Sequence, residues 1–128
     1  MSALVPNIHR LDIILPGETT TVLLTIIDPT TADVIGTVQL SCKGKRVASF
    51  SRLFVADRHR QRGLGRALVG AADRIARASG SEAIACECHP SNLQAQAFYR
   101  RLGFTVAFQF DDGSLIMHRQ TIKEAAPV

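Results

Sequence analysis

The stretch Leu53-Phe54-Val55-Ala56-Asp57-Arg58-His59-Arg60-Gln61-Arg62-Gly63-Leu64-Gly65-Arg66-Ala67-Leu68 joins a strand-like apolar run to a helix through two glycines flanking Leu64. Beyond the turn, Leu64, Leu68, Ala71 and Ile75 recur at helical spacing. Glycines directly before a helix let the backbone approach a ligand closely, while the first-turn amides, which have no acceptor inside the helix, point outward. Those amides and the positive end of the helix dipole hold anions. Arg58, Arg60, Arg62 and Arg66 fall within nine residues and focus positive potential on the same spot, so phosphate or pyrophosphate is the expected guest. Two familiar phosphate motifs do not fit. The dinucleotide fingerprint fails because Leu68 stands where its third glycine belongs, and the P-loop fails because Ala71 and Ala72 follow Gly70 in place of Lys and Ser or Thr.

Upstream, Ile8 to Leu15, Thr20 to Ile27, Asp33 to Cys42 and Arg46 to Ala56 are short apolar or β-branched runs, separated by Pro16-Gly17, Asp28-Pro29 and Lys43-Gly44-Lys45. They predict a four-stranded β-meander over residues 1–52, with the second strand apolar enough to be buried on both faces. Downstream, a helix over Gly65 to Ser79 stops at Gly80, and a strand follows from Glu82 to Cys88. Strand, helix, strand implies a parallel crossover and therefore a mixed sheet. A second helix is expected from Ser91, with Ser91 and Gln94 as a capping box, to a stop at Gly103. Two last strands, Phe104 to Phe110 and Ser114 to Gln120, turn at Asp111-Asp112-Gly113, and residues 121–128 read as a frayed tail.

The chain of 128 residues, 46% hydrophobic and 20% charged, has the size of one domain and excludes disorder, collagen-like repeats and a coiled coil as its main architecture. No apolar run is long enough to span a membrane, and the opening MSALVPNIHR lacks the layout of a secretory signal, so a cytoplasmic protein without a membrane partner is expected. Twelve of the fifteen cations are arginine and the net charge is +4, which is modest for a nucleic-acid binder; one tyrosine offers little surface for stacking bases. Cys42, Cys86 and Cys88 read as free thiols, and no second Cys/His pair stands at metal-ligand spacing, so no metal is expected.

Arg60, Gly63 and Gly65 fill the pattern R/Q-x-x-G-x-G/A, which resembles the acyl-CoA signature of the GNAT superfamily of N-acetyltransferases. Asn92, Ala95, Tyr99, Gly103 and Phe104 fill N-x-x-A-x-x-x-Y-x-x-x-G-F, which resembles the superfamily's other signature. The run Glu87-Cys88-His89-Pro90-Ser91-Asn92 is similar to the corresponding segment of ribosomal-protein alanine N-acetyltransferases. The resemblance covers Leu53 to Gln120 and implies an α/β (α+β) fold: a mostly antiparallel sheet of about seven strands, two main helices, and fourth and fifth strands that are parallel but splay apart. Acetyl-CoA, as co-substrate, enters the gap. Leu53 and Val55 would bond its pantetheine amides, Gln61, Arg62, Gly63, Leu64, Gly65 and Arg66 would cradle its pyrophosphate with help from Arg60, and Asn92 and Tyr99 would complete its site.

The same resemblance implies transfer of the acetyl group to a primary amine by direct attack in a ternary complex. Tyr99 would be the general acid toward the leaving thiolate, Glu87 the base and His89 the reserve base; the Val55 amide would meet the oxyanion. A carboxylate between Cys86 and Cys88 on an apolar strand is expected to be desolvated. Each candidate has a plainer reading: a solvated basic loop for the arginines, a core aromatic for Tyr99, a solvent-facing strand residue for Glu87. The chain departs from the superfamily between its first two strands, where Pro16-Gly17-Glu18-Thr19 replaces one or two helices that wall the acceptor pocket. An open groove for a bulky amine, a homodimer whose second subunit supplies the wall, or a non-catalytic acyl-CoA-binding module each accommodates that gap. The acceptor stays unchosen.

Overall fold

The computed structural model describes residues 7–14, 20–60 and 63–121. Its strands are β1 (Ile8–Ile13), β2 (Thr21–Ile27), β3 (Val34–Ser41), β4 (Val47–Val55), β5 (Ala83–Cys88), β6 (Thr105–Gln109) and β7 (Leu115–Gln120). Helix α1 (Leu64–Ala78) follows a 3-10 turn at Asp57–His59, and α2 (Leu93–Arg101) lies between β5 and β6. One sheet in the order β1-β2-β3-β4-β5-β7-β6 contains every strand, with β4 and β5 its single parallel pair. Each expected element is present, most of them a residue or two shorter. Residues 16–19 of the first turn and 122–128 of the tail lie outside the described residues. The pair Ile13↔Thr21 closes the β1–β2 hairpin and leaves only residues 14–20 to connect them.

The register puts the buried side chains on one sheet face. Val22, Leu24 and Ile26 align with Leu40, Val38 and Gly36; Leu40 aligns with Phe50; Ala48 aligns with Ile84; Cys86 aligns with Met117. On this face α1 buries Leu68, Val69, Ala72 and Ala76, each at most 1% exposed. Burying a leucine of this kind contributes about 2 kcal/mol. A side chain at Gly36 would meet Leu68 Cδ1 at 3.1 Å, so glycine there lets α1 approach β3. The opposite face, with His9, Leu11, Thr25, Gln39, Ser49, Glu87 and His118, carries no helix among the described residues. For that reason β2 alternates buried and half-buried residues instead of being covered on both sides as expected.

The start of α2 also differs from expectation. Asn92, not Ser91, is the N-cap: its Oδ1 accepts from the Ala95 amide at 3.0 Å. The Ser91 hydroxyl is engaged by His89 Nδ1 at 2.6 Å, and Nδ1 accepts from the Ser91 amide at 3.1 Å, which removes Ser91 from the cap.

Asp73, 2% exposed in the middle of α1, faces Arg119 of β7 with Nη2 3.6 Å from Oδ1. Arg119 also donates to the Leu102 carbonyl at the end of α2 and lies 4.9 Å over the Phe104 ring. One guanidinium thus ties α1, α2 and the sheet together. Removing one member of a buried pair strands the other charge, so Asp73→Ala is expected to destabilise the fold by about 3 kcal/mol in urea unfolding. A loss under about 1 kcal/mol would mean the pair is solvated.

Candidate functional site

Parallel pairing of β4 with β5 stops after Val47↔Ala83, Ala48↔Ile84 and Ser49↔Ala85. Beyond that point β4 stays with β3 and β5 stays with β7. The cause lies in β4: Thr37 pairs with Phe54 but Gln39 pairs with Ser51, so β4 carries one extra residue, and Arg52 takes φ +55°. A bulge of this kind bends its strand and reverses its facing. Before it Ala48 and Phe50 are buried under the helices; after it Val55 turns that way, with Cγ2 3.8 Å from a side chain built on Gly65. A non-glycine residue at positive φ costs about 1 kcal/mol and persists only where its surroundings impose it.

The parting leaves a slot of about 340 Å³ lined from both sides of the sheet. Phe50, Cys86 and Tyr99 line it under the helices; Ser49, Ser51, Ala85, Glu87 and Ile116 line it on the open side; Arg52 and Leu53 stand at the bulge. The facing edges of β4 and β5 lack strand partners here, so their peptide groups are available to an extended chain bearing amides, as at any open sheet edge.

Two residues beyond Leu53 on β4, Val55 adjoins Gly65 at the N-terminus of α1. Gly63 is its N-cap with φ +77°, a conformation that favours glycine, and no side chain caps the first turn. No acidic residue occupies that turn, and Arg66 in it is exposed. A side chain on Gly65 would meet Phe98 Cζ at 3.2 Å, so glycine there lets α2 pack against α1. Leu64 packs its half-buried side chain on the core. Arg60 Nε donates to the Val55 carbonyl at 3.2 Å, and its Nη2 lies 3.1 Å from Asp57 Oδ1. Gln61 and Arg62 lie outside the described residues.

Tyr99 is 8% exposed, its ring edge-on to Phe50 at 5.9 Å and Phe98 at 5.3 Å. Burial pushes the phenol well above its ordinary range, and the neighbouring Cys86 and Cys88 raise it further. Burial likewise pushes the Cys86 thiol up to about 12. Glu87, by contrast, points to the exposed face, because alternation along β5 sends Cys86 and Cys88 inward and Glu87 outward. The desolvation expected of Glu87 is therefore absent, yet it borders the slot opposite Tyr99. His89, past the end of β5, is not among the residues lining the slot and its Nδ1 is held by Ser91. Asn92, expected to contact the co-substrate, has its Oδ1 on the Ala95 amide. Phe50, Arg52 and Ile116 were not anticipated. Among the described residues no group of three or more His, Cys, Asp or Glu side chains is placed to hold a metal.

A model of the acetyltransferase (GNAT) family matches residues 9–104, well over half of the chain. The chain belongs to this family. No curated protein matches it in sequence. Among solved structures, nourseothricin acetyltransferase superposes with a TM-score of 0.72 at 29% identity, over 80% of this chain and 66% of that one. A GNAT acetyltransferase from Staphylococcus aureus Mu50 gives 0.69 at 16% identity over 80% and 68%. The PaiA N-acetyltransferase of Thermoplasma acidophilum, solved in complex with coenzyme A, gives 0.69 at 22% identity over 78% and 60%. The chain thus spans about two thirds of the length of these GNAT structures.

In this GNAT chain, Cys86 and Tyr99 both keep their protons in the folded state. A raised acid contributes stability that is complete below its unfolded value and is lost as pH rises toward the folded one. Above pH 9, the ordinary value of a cysteine thiol, stability is expected to fall toward pH 12, each such group adding a slope of about 1.4 kcal/mol per pH unit. Cys86→Ala should flatten that fall, measured by urea unfolding at several pH values; an unchanged slope would show that the thiol is solvated.

Proposed function

We propose that the protein is an N-acetyltransferase that moves the acetyl group of acetyl-CoA to a primary amine by direct attack in a ternary complex. The observation that carries this reading is the slot: a break in an otherwise continuous sheet, with Tyr99 on one side and Glu87 on the other, beside a β4 end that adjoins the glycine-capped N-terminus of α1. Family membership and the coenzyme A complex of the Thermoplasma relative support the donor.

The groups present suit an acyl-CoA thioester. The unpaired edge around Leu53 and Val55 offers peptide partners to the pantetheine amides, and the amides of Gly63, Leu64, Gly65 and Arg66, with the Arg66 charge, face the pyrophosphate. Gln61 and Arg62 join that cradle in this reading, as Asn92 joins the Tyr99 side. In the reaction the amine nitrogen bonds to the thioester carbonyl carbon and the carbon–sulfur bond breaks. An amine that arrives as ammonium first gives one proton to solvent; on attack the nitrogen loses a second, to Glu87 directly or through water, the sulfur gains one from Tyr99, and solvent exchange restores the Glu87 carboxylate and the Tyr99 phenol. Products are the N-acetyl amide and the free thiol, so protons balance. A phenol raised by burial is a reluctant donor, but the same burial acts on sulfur: Cys86 shows that a thiol beside Tyr99 is pushed up to about 12, so a thiolate formed there takes a proton readily. The likeness of Glu87 to Asn92 to the ribosomal-protein alanine N-acetyltransferases supports Glu87 as base. The short β1–β2 connection favours a second reading, an acyl-CoA-binding module without turnover, which predicts binding with no thiol release.

Arg66→Glu puts a carboxylate where the pyrophosphate should lie, while an acid in the first turn of a helix favours folding. Calorimetry should show acetyl-CoA affinity lowered about tenfold or more at an unchanged melting temperature. Tyr99→Phe should keep that affinity and lower kcat about 100-fold. Wild-type affinity in Arg66→Glu, or full turnover in Tyr99→Phe, would refute the corresponding role.

A further inference from the structure

The open side of the slot continues into an apolar surface that the sheet builds deliberately. In β6, Val106 pairs with Met117 but Phe108 pairs with Ile116, so Ala107 is an extra residue and the facing of the strand reverses there. Without that bulge Phe108 would follow Val106 onto the helix-covered side. With it, Phe108 joins the open face, and Phe110, whose amide donates to the Ser114 carbonyl, follows two residues on. Their rings meet edge to face at 5.0 Å and remain 57% and 44% exposed. Aromatic side chains this exposed, paired beside a cleft, mark a contact surface.

The row leads straight to the slot. Phe108 is opposite Ile116, and Ile116 is opposite Glu87; both Ile116 and Glu87 line the slot. Three adjacent strands therefore set an aromatic pair and a carboxylate about 10 Å apart on one face. On this face of β5, β6 and β7 stand Glu87 and His118 but no lysine or arginine, the adjoining turn adds Asp111 and Asp112, and among the described residues Arg52 of β4 is the one cation that lines the slot. The surface is complementary to a cation with an apolar body.

We infer that this row is the acceptor subsite and that the acceptor is a primary amine bearing a compact aromatic or branched aliphatic group, of the arylalkylamine class. Its apolar body rests on Phe108, Phe110 and Ile116, and its ammonium end reaches Glu87 at the slot. This specificity rests on the acetyltransferase reading above, and it makes Phe108 and Phe110 specificity determinants.

The test compares 2-phenylethylamine with ethanolamine at saturating acetyl-CoA, following thiol release, in the wild type and in Phe108→Ser/Phe110→Ser. Both phenylalanines are exposed, so the variant should fold and bind acetyl-CoA as the wild type does. The wild type is expected to favour 2-phenylethylamine by about tenfold or more in kcat/KM, and the variant to lose that preference. Calorimetric binding of 2-phenylethylamine alone reads the subsite without catalysis. Equal rates for the two amines, a preference that survives in the variant, or acetyl-CoA binding with no 2-phenylethylamine binding would overturn the subsite and leave the donor reading intact. Amine binding lost in the variant, with no acetyl-CoA binding, would uphold the subsite and overturn the acetyltransferase reading. A dimeric mass by light scattering that becomes monomeric in the variant would assign the aromatic pair to a second copy and overturn the proposal.

Discussion

Two parallel strands that pair for three residues and then separate are the constraint on which the rest of the molecule depends. Continuous pairing of β4 with β5 would satisfy every peptide group between them and leave no slot. The extra residue at Arg52 prevents this by turning β4 after Phe50, while β5 keeps its register with β7 to the end. Phe50 and Tyr99, edge to face beneath the gap, occupy the helix side of the opening and keep it from closing. The cost is backbone strain at one exposed arginine and a stretch of unpaired sheet edge. Both are explained if an extended amide chain completes the sheet.

The slot separates two chemistries. Tyr99 lies in an aromatic pocket where burial holds protons on phenol and thiol alike, and where a departing thiolate would be strongly basic. Glu87 stands on the solvent side, one residue from Cys86 along β5, because alternation in the strand sends neighbours to opposite faces. A donor entering under the helices and an acceptor arriving over the open face would meet in the gap. No helix among the described residues covers that open face, which leaves Phe108 and Phe110 exposed next to Ile116 of β7 at the slot.

Much of this was legible in the sequence. The spacing of Leu64, Leu68, Ala71 and Ile75 marked α1, and the motif around Tyr99 pointed to a side chain that lines the slot. What stayed hidden has physical reasons. Arg52 has no turn-forming character, so its bulge leaves no local signal. Asp73 is readable as a buried carboxylate only once Arg119, 46 residues away, is folded beside it. Ser91 and Asn92 are both good caps, and His89 decides between them by taking the serine. The apolar run of β2 cannot reveal that one of its faces has no covering layer. The outward direction of Glu87 was readable, since Ile84, Cys86 and Cys88 share the other parity, but the flanking thiols suggested burial instead.

Amide hydrogen exchange along β4, with and without acetyl-CoA, tests the central claim most directly. If the ligand completes the broken sheet, the amides of Leu53 and Val55 and of the first turn of α1 become protected by about tenfold or more on its addition, while Phe54, paired with β3, and Ala48 and Ile84, paired with each other, do not change. Protection confined to other regions, with the β4 edge exchanging as before, would contradict it.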